Sequence, residues 1–268
     1  MNPSGGAEGR TAEESWSQIP RLFRAFEHPL PPPWQDIFGP LQEGRVDDLM
    51  LIAQSGQSVD ARIATPSGHS HYINGETALA HLHRLRALVD AVVIGVGTAL
   101  ADDPQLTVRR VDGPNPARVI IDPSGRLPST ARALADDGTR RMVVTATDTR
   151  FGLPPGIEIV PLHRTGASLA PAAIAAALAA RGLRRILIEG GADTVSRFLE
   201  ARCLDRLHVM VAPSILGGGR TSFTLPPIKR LEEAIRFSMR AHVVGCDVLL
   251  DCDLSAHRVP VGRAKMSM

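Results

Sequence analysis

The stretch from Arg185 to Leu199 constrains this chain most. A short apolar strand, Arg185-Ile186-Leu187-Ile188-Glu189, runs into Gly190-Gly191 and then into an amphipathic segment. Consecutive aliphatics suit a strand covered on both faces, as in a parallel sheet. Gly190 and Gly191 permit φ > 0 and leave no Cβ against a close ligand. The helix that follows places Val195, Phe198 and Leu199 on one face. Its first N–H groups and its dipole favour an anion, commonly a phosphate. Thr194, Ser196 and Arg197 add donors. Glu189 stands at the carboxyl end of the strand, where open α/β sheets bind ligands. On this stretch alone, an ordinary strand-to-helix turn with convenient glycines is the alternative.

The same alternation of apolar strands and helices runs through most of the chain. Leu49–Ala53, Ala91–Gly95, Arg118–Asp122, Met142–Ala146, Ile157–Val160 and Leu207–Val211 read as strands. Gln54 to Gly68 is polar and reads as a loop over the sheet edge. Asn74 predicts an N-cap for a helix with Ala78, Leu79, Leu82, Leu85 and Val89 on one face. Pro171 to Arg181 reads as a helix with Pro at its start and Gly182 past its end. Asp102-Asp103-Pro104 reads as a turn, and Ile215 to Arg220 as a flexible loop. Near the C-terminus, Ile235, Phe237 and Met239 alternate with Arg236, Ser238 and Arg240. Asp247–Asp251 follows a turn at Gly245, which predicts an antiparallel hairpin. The expected fold is α/β: a mostly parallel, doubly wound sheet with helices on both faces and a C-terminal antiparallel hairpin. One domain is expected from 46 to 255, after an extension (1–45) and before a tail (256–268). Met1 to Glu14 is polar and expected to be mobile. Trp16, Ile19, Leu22, Phe23 and Phe26 have the spacing of a docking helix.

Composition excludes several function classes. The 268 residues carry a net charge of +2, and no basic run interleaves with aromatics, so nucleic acid is not an expected partner. Aromatics are only 4%, so the core rests on Val, Ile, Leu and Ala. Cys203, Cys246 and Cys252 show neither metal-ligand spacing nor a disulfide framework, which suits a reducing cytoplasm. His69, His71, His81 and His83 lack acidic or Cys partners, so no metal is expected. The apolar run Leu169 to Ala180 contains Pro171 and is too short to span a bilayer.

Further patches belong with the glycine turn: Ser58-Val59-Asp60-Ala61-Arg62, Ser70-His71-Tyr72-Ile73, Arg86, and Gly95 through Arg109. Together these resemble the reductase domain of bacterial riboflavin-biosynthesis deaminase-reductases, a branch of the dihydrofolate-reductase-like fold. The resemblance runs from about Leu49 to Asp251, and its most specific part is Gly97 to Arg109. It implies reduction of the ribose of 5-amino-6-(5-phosphoribosylamino)uracil to the ribityl form, with NADPH as cofactor and a homodimer as the assembly. It further implies that Ser70, Arg86, Leu106, Arg109 and Glu189 contact substrate, the arginines near its phosphate. Gly56, Tyr72, Thr98, Asp102, Gly190, Gly191, Ala192, Asp193, Thr194, Val195, Ser196 and Arg197 would contact the cofactor. Ser124, with Thr147 and Arg150, would serve its 2′-phosphate. Glu189 and Asp60 are the catalytic candidates, Asp60 having a loop-cap reading beside that of a proton carrier. Arg86 has its own alternative, an i,i+4 pair with Asp90.

The chain departs from the family's pattern at named positions. Val59, Ala61 and Arg62 stand within what is usually Ser-Leu-Asp-Gly-Lys, Tyr72 replaces a Trp, and Gln54 replaces a lysine. No His-x-Glu with Pro-Cys-x-x-Cys is present to hold the zinc of a deaminase. Two alternative readings are a dihydropterin-type reductase on the same fold and a nucleotide-binding relative without catalysis.

Overall fold

A computed structural model describes residues 15–26, 29–44, 46–69, 73–150 and 152–261. The expectations for Met1 to Glu14, for Ser70 and Tyr72, and for the tail beyond Val261 lie outside the described residues. The first elements are α1 (Ile19–Ala25), α2 (Trp34–Phe38), β1 (Met50–Ser58), β2 (Arg62–Ala64), α3 (Glu76–Leu88), β3 (Ala91–Gly95), α4 (Val96–Asp102) and β4 (Ala117–Ile121). Then come β5 (Arg141–Ala146), β6 (Ile157–Leu162), β7 (Arg164–Thr165), β8 (Ser168–Leu169), α5 (Pro171–Ala179), β9 (Arg185–Glu189) and α6 (Ala192–Glu200). The last are β10 (Arg206–Ala212), β11 (Arg220–Thr221), β12 (Ser238–Val244) and β13 (Asp247–Asp253).

Nine strands form one sheet in the order β12-β13-β10-β1-β9-β3-β4-β5-β6. All pairings from β10 across to β6 are parallel. The β12–β13 hairpin joins β10 in antiparallel register. Because strand side chains alternate, β9 feeds both faces: Ile186 and Ile188 enter one core cluster and Leu187 the other. Helices α5 and α6 cover the first face through Ile174, Leu178, Val195 and Phe198. Helices α1 to α4 cover the second through Ile19, Phe23, Phe38, Leu85 and Val96. Burying each such side chain contributes about 1.5–3 kcal/mol.

The N-terminal segment is part of that second core. Trp16 and Trp34 meet edge to face at 5.2 Å, and the Arg84 guanidinium lies 4.8 Å from the Trp34 ring centroid and 5.5 Å from that of Trp16. Trp16 Nε1 donates to the Asp112 carbonyl at 2.7 Å. In α1, Ile19 and Phe23 are buried, whereas Phe26 caps the helix at φ 59° and is exposed.

Several local expectations are corrected. Gln54 to Gly68 is not a loop: β1 continues to Ser58 because β10 supplies a ladder out to Ser58↔Ala212. Arg220, expected in a flexible loop, forms β11 with Thr221 and pairs with β2. Asn74 does not cap α3; Gly75 does, and Asn74 donates instead to the Met210 carbonyl and Asp247. Leu79 and Leu82 are only half-buried, while His81, His83, Arg84 and Arg86 are buried, because packed partners cover the polar side of α3. The stretch before Asp102 is helical, and its C-cap Asp103 is left-handed at φ 38°. Strand β12 begins at Ser238 rather than Ile235, since Leu231–Glu233 forms a helical turn first. Among the described residues, no helix is long and apolar enough to cross a membrane.

Candidate functional site

A cleft of about 1180 Å³ opens at the carboxyl ends of the central strands. The glycine turn forms one wall. Gly190 adopts φ 98°, a left-handed conformation that favours glycine. A Cβ there would lie 2.9 Å from Thr98 Oγ1, and one at Gly191 would lie 3.2 Å from it. A Cβ at Gly95 would lie 2.5 Å from Thr194 Oγ1, so the starts of α4 and α6 are in close contact. Gly191 N–H donates to Thr98 Oγ1 at 3.0 Å, which fixes the turn. Gly191 is the N-cap residue of α6, and the next N–H groups have no carbonyl four residues back. Two helix starts and a bare turn facing an open cleft fit the diphosphate of a dinucleotide.

Directly before the turn in sequence, Glu189 forms an ion pair that also lines the cleft. Arg86 Nε and Nη2 donate to the two Glu189 carboxylate oxygens at 2.7 Å each, and Nη1 donates to the Thr107 carbonyl at 3.1 Å. Both residues are buried, 5% exposed. Burial opposes the Arg86 charge, but the Glu189 charge and hydrogen bonds outweigh it and hold the guanidinium above its ordinary value. The alternative pairing with Asp90 is not made; Asp90 Oδ2 accepts from the backbone N–H of Arg184 and Arg185. Gln54 lies beside Glu189 in register on β1 and lines the cleft.

The loop from Asp103 to Arg109 is held at several points. Leu106 is buried at φ 59°. Thr107 is held by Arg86, and Arg109 N–H donates to His83 Nδ1 at 3.1 Å. Burial first, then the charges of Arg86, Arg109 and Arg110, bring His83 down to about 3, so the ring stays a neutral acceptor. Burial, then the nearby charges of Arg86, Arg110 and Arg132, lower Arg109 from its ordinary value, with Glu189 opposing. The Arg109 guanidinium makes no hydrogen bond or ion pair with another described residue.

Of the sequence-selected residues, Gly56, Thr98, Asp102, Ser124, Gly190, Gly191, Asp193, Thr194 and Arg197 line this cleft together with Arg86, Leu106, Arg109 and Glu189. Ala192 and Val195 lie in the core beneath the turn. Ser196 is buried, and its hydroxyl accepts from Thr224 N–H at 2.8 Å. Arg197 pairs with Asp193 one turn away. Asp60 accepts from Ser58 Oγ, Leu216 N–H and Gly217 N–H. These bonds hold its carboxyl at about 2, the Ser58 hydrogen bond contributing most. A carboxylate so engaged clasps two loops and has no proton to give near neutrality. Arg126 and Arg132 also line the cleft. No local pattern singled them out in the sequence, because both lie in the connection between β4 and β5, Arg132 at the start of a single 3-10 turn.

Fold and cleft thus define an α/β protein with a glycine turn and several arginines lining a cleft at the carboxyl ends of its parallel strands. Residues 50–250 match the RibD C-terminal domain, and the chain belongs to that family. It is 33% identical over 215 residues to the 2,5-diamino-6-ribosylamino-4(3H)-pyrimidinone 5′-phosphate reductase of Methanothermobacter thermautotrophicus, covering 75% of this chain and 96% of that one. It is 33% identical over 198 residues to the riboflavin biosynthesis protein RibD of Mycobacterium tuberculosis, covering 72% of this chain and 51% of that protein. The chain therefore spans nearly all of the first relative and about half of the second. Among solved structures, a diaminohydroxyphosphoribosylaminopyrimidine deaminase/5-amino-6-(5-phosphoribosylamino)uracil reductase from Thermotoga maritima matches with TM-score 0.67 and 25% identity, covering 76% of this chain and 56% of that one.

Proposed function

We propose that this chain reduces the ribose of a phosphoribosylamino-pyrimidine to the ribityl form, with NADPH, as a step of riboflavin biosynthesis. The Methanothermobacter relative is named for a 2,5-diamino-pyrimidinone ribosyl phosphate and the Thermotoga protein for the corresponding uracil. Both compounds carry a 5′-phosphate. The observation that supports the reading best is Arg109, whose guanidinium bonds no other described residue, in the same cleft as a bare glycine turn.

When bound, the nicotinamide supplies the hydride. The chain's own residues bind and orient. Gly190, Gly191 and the first turn of α6 hold the diphosphate, Thr98 fixes the turn, and Ser124 serves the 2′-phosphate; Thr147 and Arg150, the other candidates for it, do not line the cleft. Glu189, oriented by Arg86, accepts from sugar hydroxyls through its remaining lone pairs. Arg109 holds the substrate phosphate with a guanidinium fork. The same reading takes the protein as a cytoplasmic homodimer meeting along β12, a sheet-edge strand with Met239 and Val243 exposed.

The experiment crosses Arg109→Ala with removal of the substrate phosphate and reads kcat/KM. Arg109→Ala should lose roughly 1.5–3 kcal/mol of transition-state binding, the worth of a charge-assisted hydrogen bond. That is on the order of 10- to 150-fold in kcat/KM. The dephosphorylated compound should be poor with the parent protein and lose little more with the variant. Additive losses, or turnover of dihydrofolate that Arg109→Ala leaves unchanged, would favour a dihydropterin-type reductase instead.

A further inference from the structure

We infer that His83 is a positioning residue for the substrate phosphate: its ring holds the backbone of Arg109 and so sets where that guanidinium reaches. The inference rests on the proposed function, in which Arg109 reads the phosphate.

The segment that carries Arg109 does not hold itself. Among the described residues, no backbone–backbone hydrogen bond is made from Pro104 to Pro116. Side chains meet its polar groups instead. Arg86 Nη1 donates to the Thr107 carbonyl at 3.1 Å, Val108 N–H donates to Asn115 Oδ1 at 2.7 Å, and Trp16 Nε1 donates to the Asp112 carbonyl at 2.7 Å. At Arg109 itself the hold is the bond from its N–H to His83 Nδ1, at 3.1 Å. His83 and Arg86 are three residues apart in α3, so they share a face of that helix. Between them they take alternate groups of the segment, the carbonyl of Thr107 and the N–H of Arg109. Leu85 and Leu88 seat α3 in the second core cluster, so both grips start from a fixed frame.

His83 is 2% exposed and does not line the cleft, so its task is not contact with a ligand. What it supplies is an acceptor. An accepting Nδ1 leaves the ring proton on Nε2 and the ring neutral. Burial and the charges of Arg86, Arg109 and Arg110 all favour that form. A protonated ring, or an apolar side chain of the same size, would leave the Arg109 N–H unmet and free the segment to shift. The Arg109 guanidinium bonds no other described residue, so nothing else corrects such a shift before the phosphate arrives. A displacement of about 1 Å at a positioned group costs on the order of 100-fold at most.

The test compares His83→Leu, His83→Asn and Arg109→Ala. For each, kcat and KM are measured on substrate with and without its phosphate. Leucine fills similar space and accepts nothing, whereas asparagine places Oδ1 where Nδ1 stands and accepts the Arg109 N–H. His83→Leu should raise KM for the phosphorylated substrate about 10-fold. Its kcat should stay within about twofold, the mark of lost binding rather than lost chemistry. KM for the unphosphorylated compound should not move, and His83→Asn should recover most of the loss. In the Arg109→Ala background His83→Leu should add nothing further. In the unsubstituted protein, NMR of the ring nitrogens should show His83 as the Nε2–H tautomer across about pH 5 to 8, where an ordinary histidine titrates. That reading does not depend on His83→Leu folding, and a charged ring or the Nδ1–H tautomer overturns the inference. So do equal changes on the two substrates, additivity with Arg109→Ala, or an asparagine that does no better than leucine. If Arg109→Ala discriminates against phosphate and His83→Leu does not, His83 is excluded and the proposed function stands. If Arg109→Ala does not discriminate, both fall.

Discussion

Among the described residues, two buried arginines fork onto a carboxylate, Arg86 and Arg206, and the two pairs serve different ends. At the cleft, Arg86 grips Glu189 with both bonds at 2.7 Å. At the hairpin, Arg206 grips Asp251 at 2.6–3.0 Å. There His208 Nε2 lies 3.2 Å from Asp251 Oδ1, and His208 Nδ1 lies 3.1 Å from His81 Nε2. Both rings can stay neutral if His81 donates to His208 and His208 to Asp251. This second network ties α3, β10 and β13 together and touches no part of the cleft. The first holds a loop that carries an unpaired arginine into the cleft. A buried ion pair by itself therefore says little about chemistry. Its neighbours decide: unmatched like charge beside open space marks a ligand site, and matched charge sealed in the core marks architecture.

The sharpest way to break this comparison is Asp251→Ala. It leaves Arg206 with only Asp253, 3.3 Å away, removes the carboxylate beside His208, and should cost up to about 3–5 kcal/mol of stability. KM of the folded enzyme should not move. Urea unfolding and steady-state kinetics on the same variant check both halves, and a large KM change would mean the hairpin network reaches the site. Gly191→Val should do the reverse. Its Cβ would meet Thr98 Oγ1 at 3.2 Å and disturb the bond that fixes the turn, so nucleotide affinity should fall at least about tenfold, ~1.4 kcal/mol, with a smaller fall in the unfolding midpoint than Asp251→Ala gives. Calorimetric titration with NADPH measures it, and affinity equal to the parent would remove the turn as the phosphate site.

A third test uses pH. Burial is the chief force lowering His81 and His208. The other ring, Arg84 and His242 oppose the His81 charge and Asp251 favours it; Asp251 also favours the His208 charge, which Arg206 and His242 oppose. Unfolded histidines titrate near 6.5. Below that value the unfolded chain binds protons that the folded rings refuse. Stability should thus be complete above about pH 6.5 and fall as pH drops below it. Replacing both rings by Asn should reduce that slope and leave the share of His83, which is likewise lowered, and an unchanged slope would place the titrating groups elsewhere. The smallest effect is expected at Ala61, held at φ 59° where the family usually has glycine. Ala61→Gly should add about 1 kcal/mol of stability, the cost of a left-handed non-glycine residue, read as a rise in the urea midpoint.

The Arg185–Leu199 unit was legible because each part of it is local. Three aliphatics fix a buried strand, glycine alone suits φ 98° at Gly190, and the 3.6-residue period places Val195 and Phe198 inward. Gln54 to Ser58 was not legible, because its polar residues become a strand only between two neighbours that supply the ladder. Arg84 likewise reads as a solvated helix residue until Trp16 and Trp34 fold over it. By itself the sequence determined the order of elements, the glycine turn and the arginine that ends the Gly97-to-Arg109 stretch. Tertiary structure alone decided how the charges are matched: Arg86 goes to Glu189, 103 residues away, and Arg132 is brought to the cleft with its charge unspent. Periodicity and backbone preference act over a few neighbouring residues, whereas a charge takes whichever partner folding brings within reach.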